Sequence, residues 1–91
     1  MIEAKVGPIL TKDELAEAFV SAIREQNVGA NIIDRGAYYR VEVPHTCKVT
    51  KGIVEKYAKR PISFPVDLEI VMPSFTGLLS LQEDSAIWSS S

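Results

Sequence analysis

Apolar and polar positions alternate with changing period along this chain, and each change of period marks a predicted element. Val6-Gly7-Pro8-Ile9-Leu10 is a short apolar segment that predicts a brief strand. Pro8 cannot donate to a sheet ladder, which places that strand at an edge. Thr11-Lys12-Asp13-Glu14 has the form of a capping box, with the Thr11 hydroxyl accepting the Glu14 amide and Glu14 reaching back. Leu15, Ala18, Phe19, Ala22 and Ile23 then recur at helical spacing, opposite a polar face of Glu14, Glu17, Ser21, Arg24 and Glu25. Asn27-Val28-Gly29 supplies the stop. Residues 30–34 read as a strand, Arg35-Gly36 as a hairpin turn, and residues 38–43 as the returning strand. Its alternation sends Tyr39, Val41 and Val43 to the core and Tyr38, Arg40 and Glu42 outward.

The second half repeats this order. Cys47-Lys48-Val49 predicts a short strand, and Thr50 caps a helix from Lys51 to Lys59 with Ile53, Val54 and Tyr57 facing inward. Pro61 closes that helix, and residues 62–66 predict a loop or one irregular turn. The run Leu68-Glu69-Ile70-Val71-Met72 is rich in β-formers and predicts a strand, with Asp67 and Glu69 pointing outward, that halts at Pro73. The chain then crosses a small-residue kink, Ser74 to Gly77, and resumes as Leu78-Leu79-Ser80-Leu81. Gly77 permits positive φ or close approach by another backbone. Phe75 has two readings, tucked into the core or shown to a partner. Residues 82–85 form a polar turn and residues 86–88 a last strand, with residues 1–5 and 89–91 frayed. The order strand, helix, two strands occurs twice. It predicts one α+β domain over residues 1–91, in which two βαββ-like units form small antiparallel sheets packed with two helices and share one core.

Composition narrows the function more by exclusion than by assignment. An apolar fraction of 46% with 24% charged residues is that of a globular chain rather than a disordered one. No apolar run approaches the roughly 20 residues of a membrane span, so no membrane partner is expected. No signal peptide opens the chain, and the single Cys47 excludes an internal disulfide, which together predict a cytoplasmic protein. A formal net charge of −2 and the absence of a glycine-aromatic RNP-like run argue against nucleic acid. Lys48, Lys51, Lys56, Lys59 and Arg60 crowd one segment, opposed there only by Glu55; this is either a docking patch for an acidic partner or a solvated helix face. His45 and Cys47 are the one pair of soft ligands and cannot complete a zinc site. As nucleophile and base they have no third group to orient them. The isolated glycines form no phosphate-cradling loop. The expected cofactor set is therefore empty, as is the set of catalytic residues. A protein-binding α+β module fits these exclusions, with a nucleic-acid-binding domain as the further alternative.

An ordered set of motifs adds to this. Val6-Gly7-Pro8-Ile9 precedes the first helix, Asp34-Arg35-Gly36 leads into Tyr38 and Arg40, Arg60-Pro61 follows the second helix, and Pro73-Ser74-Phe75-Thr76-Gly77 comes last. Together they resemble the small effector, or coupling, proteins of soluble bacterial multicomponent diiron monooxygenases acting on methane, phenol, toluene and alkenes. The Pro-small-Phe-small-Gly form is most similar to the aromatic and alkene branch. The chain departs from that pattern with Lys59 where a glycine is usual, Ile62 where an aromatic is usual, and Leu78 where a basic residue commonly follows the glycine. The resemblance implies an accessory protein without catalysis or cofactor. Such a protein binds the diiron hydroxylase and works alongside a reductase or Rieske ferredoxin. It also implies hydroxylase contacts at Met72, Pro73, Ser74, Phe75, Thr76 and Gly77, with Asn27, Asp34, Arg35 and Tyr38 at the rim.

Overall fold

The computed structural model describes residues 4–90. Helix α1, Glu14–Gln26, is the element around which the rest packs. Its N-cap is Asp13 rather than Thr11: the Asp13 carboxylate accepts the Ala16 N–H at 2.8 Å, and the Thr11 hydroxyl donates to Asp13 at 2.9 Å. Both residue types cap helices, but a carboxylate also answers the positive end of the helix dipole, so the start falls two residues later than the capping-box pattern suggests. Ala16 and Val20 are buried along with the predicted stripe of Ala18, Phe19, Ala22 and Ile23. The apolar face is wider than a single stripe because α1 packs against helices and a strand from the second half.

Among the described residues seven strands form two antiparallel sheets: β1 (Lys5–Leu10), β2 (Asn31–Asp34), β3 (Tyr39–Pro44), β4 (Thr46–Thr50), β5 (Ser74–Thr76), β6 (Leu78–Leu81) and β7 (Ser85–Ser89). One sheet has the order β2-β3-β1-β5 and the other β4-β7-β6. The fold is α+β, with the two repeated units recognisable and one exchange between them. The first unit supplies β1, β2 and β3 to its own sheet. The second supplies β4, β6 and β7 to the other sheet and lends β5 to the first.

Three features of the predicted strand layout change. Strand β1 is interior rather than an edge. Its ladder to β3 pairs Lys5 with Pro44, Val6 with Val43, Ile9 with Arg40 and Leu10 with Tyr39, skipping Gly7 and Pro8. Those two residues pair on the other side, with Thr76 and Phe75 of β5. Gly7 has φ +148°, and a Cβ there would stand 2.6 Å from the Val41 carbonyl oxygen. Proline is tolerated inside this sheet because the ladder is already interrupted where it lies. Second, the chain ends differ: Lys5 and Ser89 lie within strands, and the Ser90 N–H donates to the His45 carbonyl at 2.9 Å. Residues 1–3 and 91 lie outside the described residues.

Third, the run around Leu68 is a helix, α3 (Val66–Val71), not a strand. Its β-branched residues mislead; its burial is helical, with Leu68 and Val71 buried and Val66 and Ile70 exposed. The turn before it closes locally. The Asp67 N–H donates to the Ser63 carbonyl at 2.7 Å, and the Ser63 N–H donates to the Asp67 carboxylate at 2.9 Å. Helix α2 (Lys51–Ala58) lies as predicted, although Tyr57 points outward and donates to Glu25 at 2.7 Å. Thr50 occupies its N-cap position without a side-chain capping bond; the Thr50 N–H donates to Gln26 Oε1 at 3.0 Å. The helix ends at Lys59 with φ 60°, a left-handed conformation that glycine adopts more readily than lysine.

The chain passes between sheets three times, once through α2 and α3 from β4 to β5 and twice directly. His45, at φ 66°, carries it from β3 to β4, and Gly77, at φ 96°, from β5 to β6. Leu10, Phe19, Ile23, Val41, Val49, Val54, Leu68 and Trp88 meet in one shared core. The indole N–H of Trp88 is buried there with no hydrogen-bond partner among the described residues.

Candidate docking surface

Among the described residues no group of three or more His, Cys, Asp or Glu side chains is placed to hold a metal ion, and no ligand-sized cavity opens. Burial pushes the Cys47 thiol up to about 12, so at neutral pH it is protonated, and it lies beneath the sheet that contains it. What the molecule offers is surface.

Met72 to Gly77 lies where α3 gives way to two edge strands. The Thr11 N–H donates to the Val71 carbonyl at 2.9 Å, which ties the end of α3 to the end of β1. Met72 is half-buried and packs on the core, while Pro73 and Ser74 are exposed. Phe75 sits opposite buried Pro8 but leaves 40% of its surface exposed. Thr76 turns back, its hydroxyl donating to the Gly7 carbonyl at 3.4 Å. At Gly77 a Cβ would stand 2.7 Å from Val6 Cγ1 and 2.9 Å from the Ser89 carbonyl oxygen. The space that a glycine leaves is therefore filled from within the molecule, by the core and by β7.

Asp34, Arg35 and Tyr38 belong to the β2–β3 turn. Asp34 accepts the Gly36 N–H at 2.8 Å and the Lys12 ammonium at 2.7 Å. The bond from Lys12, then that from Gly36, holds the Asp34 carboxyl below its ordinary value. Lys12 lies over the Tyr39 ring, 4.9 Å from its centroid, and Tyr39 donates to Glu17 at 2.5 Å. These contacts fasten the turn to the start of α1. The sheet register puts Ser74 opposite Ile9, Ile9 opposite Arg40, and Arg40 opposite Ile33. The turn and the start of β5 thus face the same end of the sheet, two strands apart.

Asn27 is not brought together with them. It follows the 13-residue α1, about 20 Å along the helix from Asp13. Its side chain donates to the Ile23 and Lys48 carbonyls, each at 2.8 Å, and accepts the Lys48 N–H at 2.8 Å. Both amide atoms are engaged in clamping β4 to α1. Asn27→Ala leaves the Lys48 backbone groups without this partner and is expected to destabilise the fold by about 1–2 kcal/mol. Chemical denaturation checks this, and an unchanged midpoint would remove the clamp role.

The basic segment is not a uniform patch. Lys56 pairs with Glu25 at 2.5 Å, which ties α2 to α1, and Glu55 accepts the Ile62 N–H at 2.9 Å, which closes the end of α2. Lys48, Lys59 and Arg60 are exposed. Sequence reasoning missed a different set, the exposed apolar side chains of Val66, Ile70, Leu78 and Leu81. The four-residue spacing of Val66 and Ile70, out of phase with Leu68 and Val71, is the signal that would have found the first two.

With this geometry in hand, the relationship to known proteins is direct. The MmoB/DmpM family model matches residues 4–89. The chain belongs to the MmoB/DmpM family. It is 30% identical over 90 residues to the effector subunit of the alkene monooxygenase system of Xanthobacter autotrophicus (strain ATCC BAA-1158 / Py2), covering 97% of this chain and 88% of that one. Its fold superposes on a chain of the phenol hydroxylase–regulatory protein complex with a TM-score of 0.86 at 16% identity, covering 97% of this chain and all of that one. The soluble methane monooxygenase regulatory protein B matches with a TM-score of 0.71 at 16% identity, over all of this chain and 69% of that one. At such identity the two structural matches establish a common fold. Among the described residues, no helix of this family member is long and apolar enough to cross a membrane.

Proposed function

We propose that this MmoB/DmpM family member is a non-catalytic effector that binds the hydroxylase component of a multicomponent diiron monooxygenase. In this reading it reshapes the hydroxylase active site and couples electron and oxygen use to hydrocarbon hydroxylation or epoxidation. Family membership over residues 4–89, with an alkene monooxygenase effector subunit as a relative, is the observation that carries it. The diiron centre belongs to the hydroxylase, and the chemistry is done there. The effector acts as a ligand: it shifts the hydroxylase between states only by as much as it binds one more tightly than the other. Met72 to Gly77, with Asp34, Arg35 and Tyr38 on the β2–β3 turn at the same end of the sheet, supply the contact, and Asn27 stands at the far end of the rim. The setting is cytoplasmic, beside a reductase or Rieske ferredoxin. The test is to titrate the chain into its cognate hydroxylase and electron-transfer chain and measure product formed per NADH consumed. The ratio is expected to rise and saturate as the effector is added. No binding, together with an unchanged ratio, would end the proposal.

A further inference from the structure

The two parts of the candidate surface come from opposite halves of the chain, and one short linker holds both. Thr11, Lys12 and Asp13 join β1 to α1. The Thr11 N–H donates to the Val71 carbonyl at 2.9 Å, at the end of α3, just before Met72. The Lys12 ammonium donates to Asp34 Oδ1 at 2.7 Å, at the end of β2, where the turn begins. Asp13 fixes the linker itself, its carboxylate accepting the Ala16 N–H at 2.8 Å and the Thr11 hydroxyl at 2.9 Å. The sheet register sets the linker beside the turn, since Leu10 and Asp34 both pair with Tyr39.

The turn depends on this tie. Strand β2 lies at the edge of its sheet, and residues 34–37 are exposed. Within the turn the Arg35 N–H donates to the Tyr38 carbonyl at 2.9 Å, and the Gly36 N–H to Asp34 Oδ1 at 2.8 Å. Those bonds shape the turn without placing it. Among the described residues, the Lys12 bond is the one hydrogen bond that joins residues 34–38 to a part of the chain outside the hairpin. It meets the same Asp34 oxygen as Gly36, so Lys12 also orients the carboxylate that closes the turn. The ammonium is itself steadied by the Tyr39 ring, 4.9 Å away, whose hydroxyl is held by Glu17 of α1.

We infer that Lys12 is a positioning residue for the hydroxylase contact: through Asp34 it fixes the β2–β3 turn against the linker that also holds the end of α3. Arg35 and Tyr38 then stand in one arrangement relative to Met72 to Gly77. This rests on the effector reading above. A partner that meets both parts at once binds more weakly when either must be ordered first, and a tie already made in the free protein removes that loss. Magnitude assigns the role. An exposed ion pair adds little to global stability, but an exposed turn opens at a small fraction of the free energy of the whole fold, so a weak tie decides its order.

The test is Lys12→Met, which removes the ammonium and keeps an unbranched side chain, beside Lys12→Arg, which retains a donor for Asp34 and a cation for the Tyr39 ring. In the free protein, amide exchange at Gly36 and Ala37 is expected to quicken about 2- to 5-fold in the methionine variant, with melting near the parent's. Titrated into the cognate hydroxylase, that variant is expected to bind about 2- to 5-fold more weakly, while Lys12→Arg binds like the parent. Added to Arg35→Ala with Tyr38→Ala, Lys12→Met is expected to cause no further loss, because a tie has no effect once the groups it positions are gone. A loss that adds in full there would make Lys12 a direct contact and overturn the inference. Turn amides that exchange as in the parent, unchanged hydroxylase binding, or a large fall in melting temperature would overturn it too. The effector reading survives each of these results, because the parent still binds. A parent chain that neither binds the hydroxylase nor alters coupling ends the effector reading, and this inference with it.

Discussion

Gly77→Val is expected to destabilise the fold by about 2–5 kcal/mol, combining the backbone cost of the left-handed region with overpacking against fixed neighbours. The residue sits at φ 96°, which a β-branched side chain resists. Its Cβ would meet Val6 at 2.7 Å and the Ser89 carbonyl at 2.9 Å. Val6 is buried in the core, and Ser89 is paired with Thr46 and Leu78 in β7, so neither can withdraw cheaply. The loss falls at the crossing between sheets, where β5 leaves one ladder and β6 joins the other. Gly77→Ala is expected to show the same effect at smaller size. Denaturant midpoints for the two variants, with far-UV circular dichroism to follow the fold, check this. A midpoint for the valine variant equal to the parent's would show that the crossing is loose.

This residue also shows what was legible in the sequence. The need for glycine was visible at Gly77, because a proline-small-aromatic-small-glycine kink between apolar runs demands unusual backbone. What fills the space was not, because Val6 and Ser89 are 71 and 12 positions away, and no local pattern records a tertiary contact. The same division holds elsewhere. The stripe through Phe19 and Ile23 and the alternation through Val41 and Val43 are local periodicities, and both elements formed where the pattern placed them. Val66, Ile70 and Val71 have β propensity, but a turn closed by Asp67 and Ser63 and the burial of Leu68 beside Val71 decide for a helix. Pro8 signals an edge by its missing N–H, and that signal was overridden by a ladder that skips it. The ordered motifs brought Met72 to Gly77 and the Asp34 turn to attention. They did not reveal that Asn27, also on that list, spends its side chain on Lys48 one helix length away.

Phe75→Ala separates surface from core at the position where the sequence left both readings open. The ring is 40% exposed on an edge strand, opposite Pro8, which is fully buried. Burial of this degree is too small for the roughly 3–5 kcal/mol that truncating a core phenylalanine costs, so only a minor loss of stability is expected. An aromatic ring that anchors an interface typically contributes about 1–3 kcal/mol to binding, which corresponds to roughly a 5- to 150-fold weaker complex with the hydroxylase. The variant is therefore expected to melt near the parent temperature while forming less product per NADH at subsaturating effector. Raising the effector concentration should restore the ratio if the ring contributes affinity alone. A ratio that stays low at saturation would mean that the ring also distinguishes the two hydroxylase states, since a contact made equally in both cannot shift their balance. A large drop in melting temperature with coupling preserved would return Phe75 to the core.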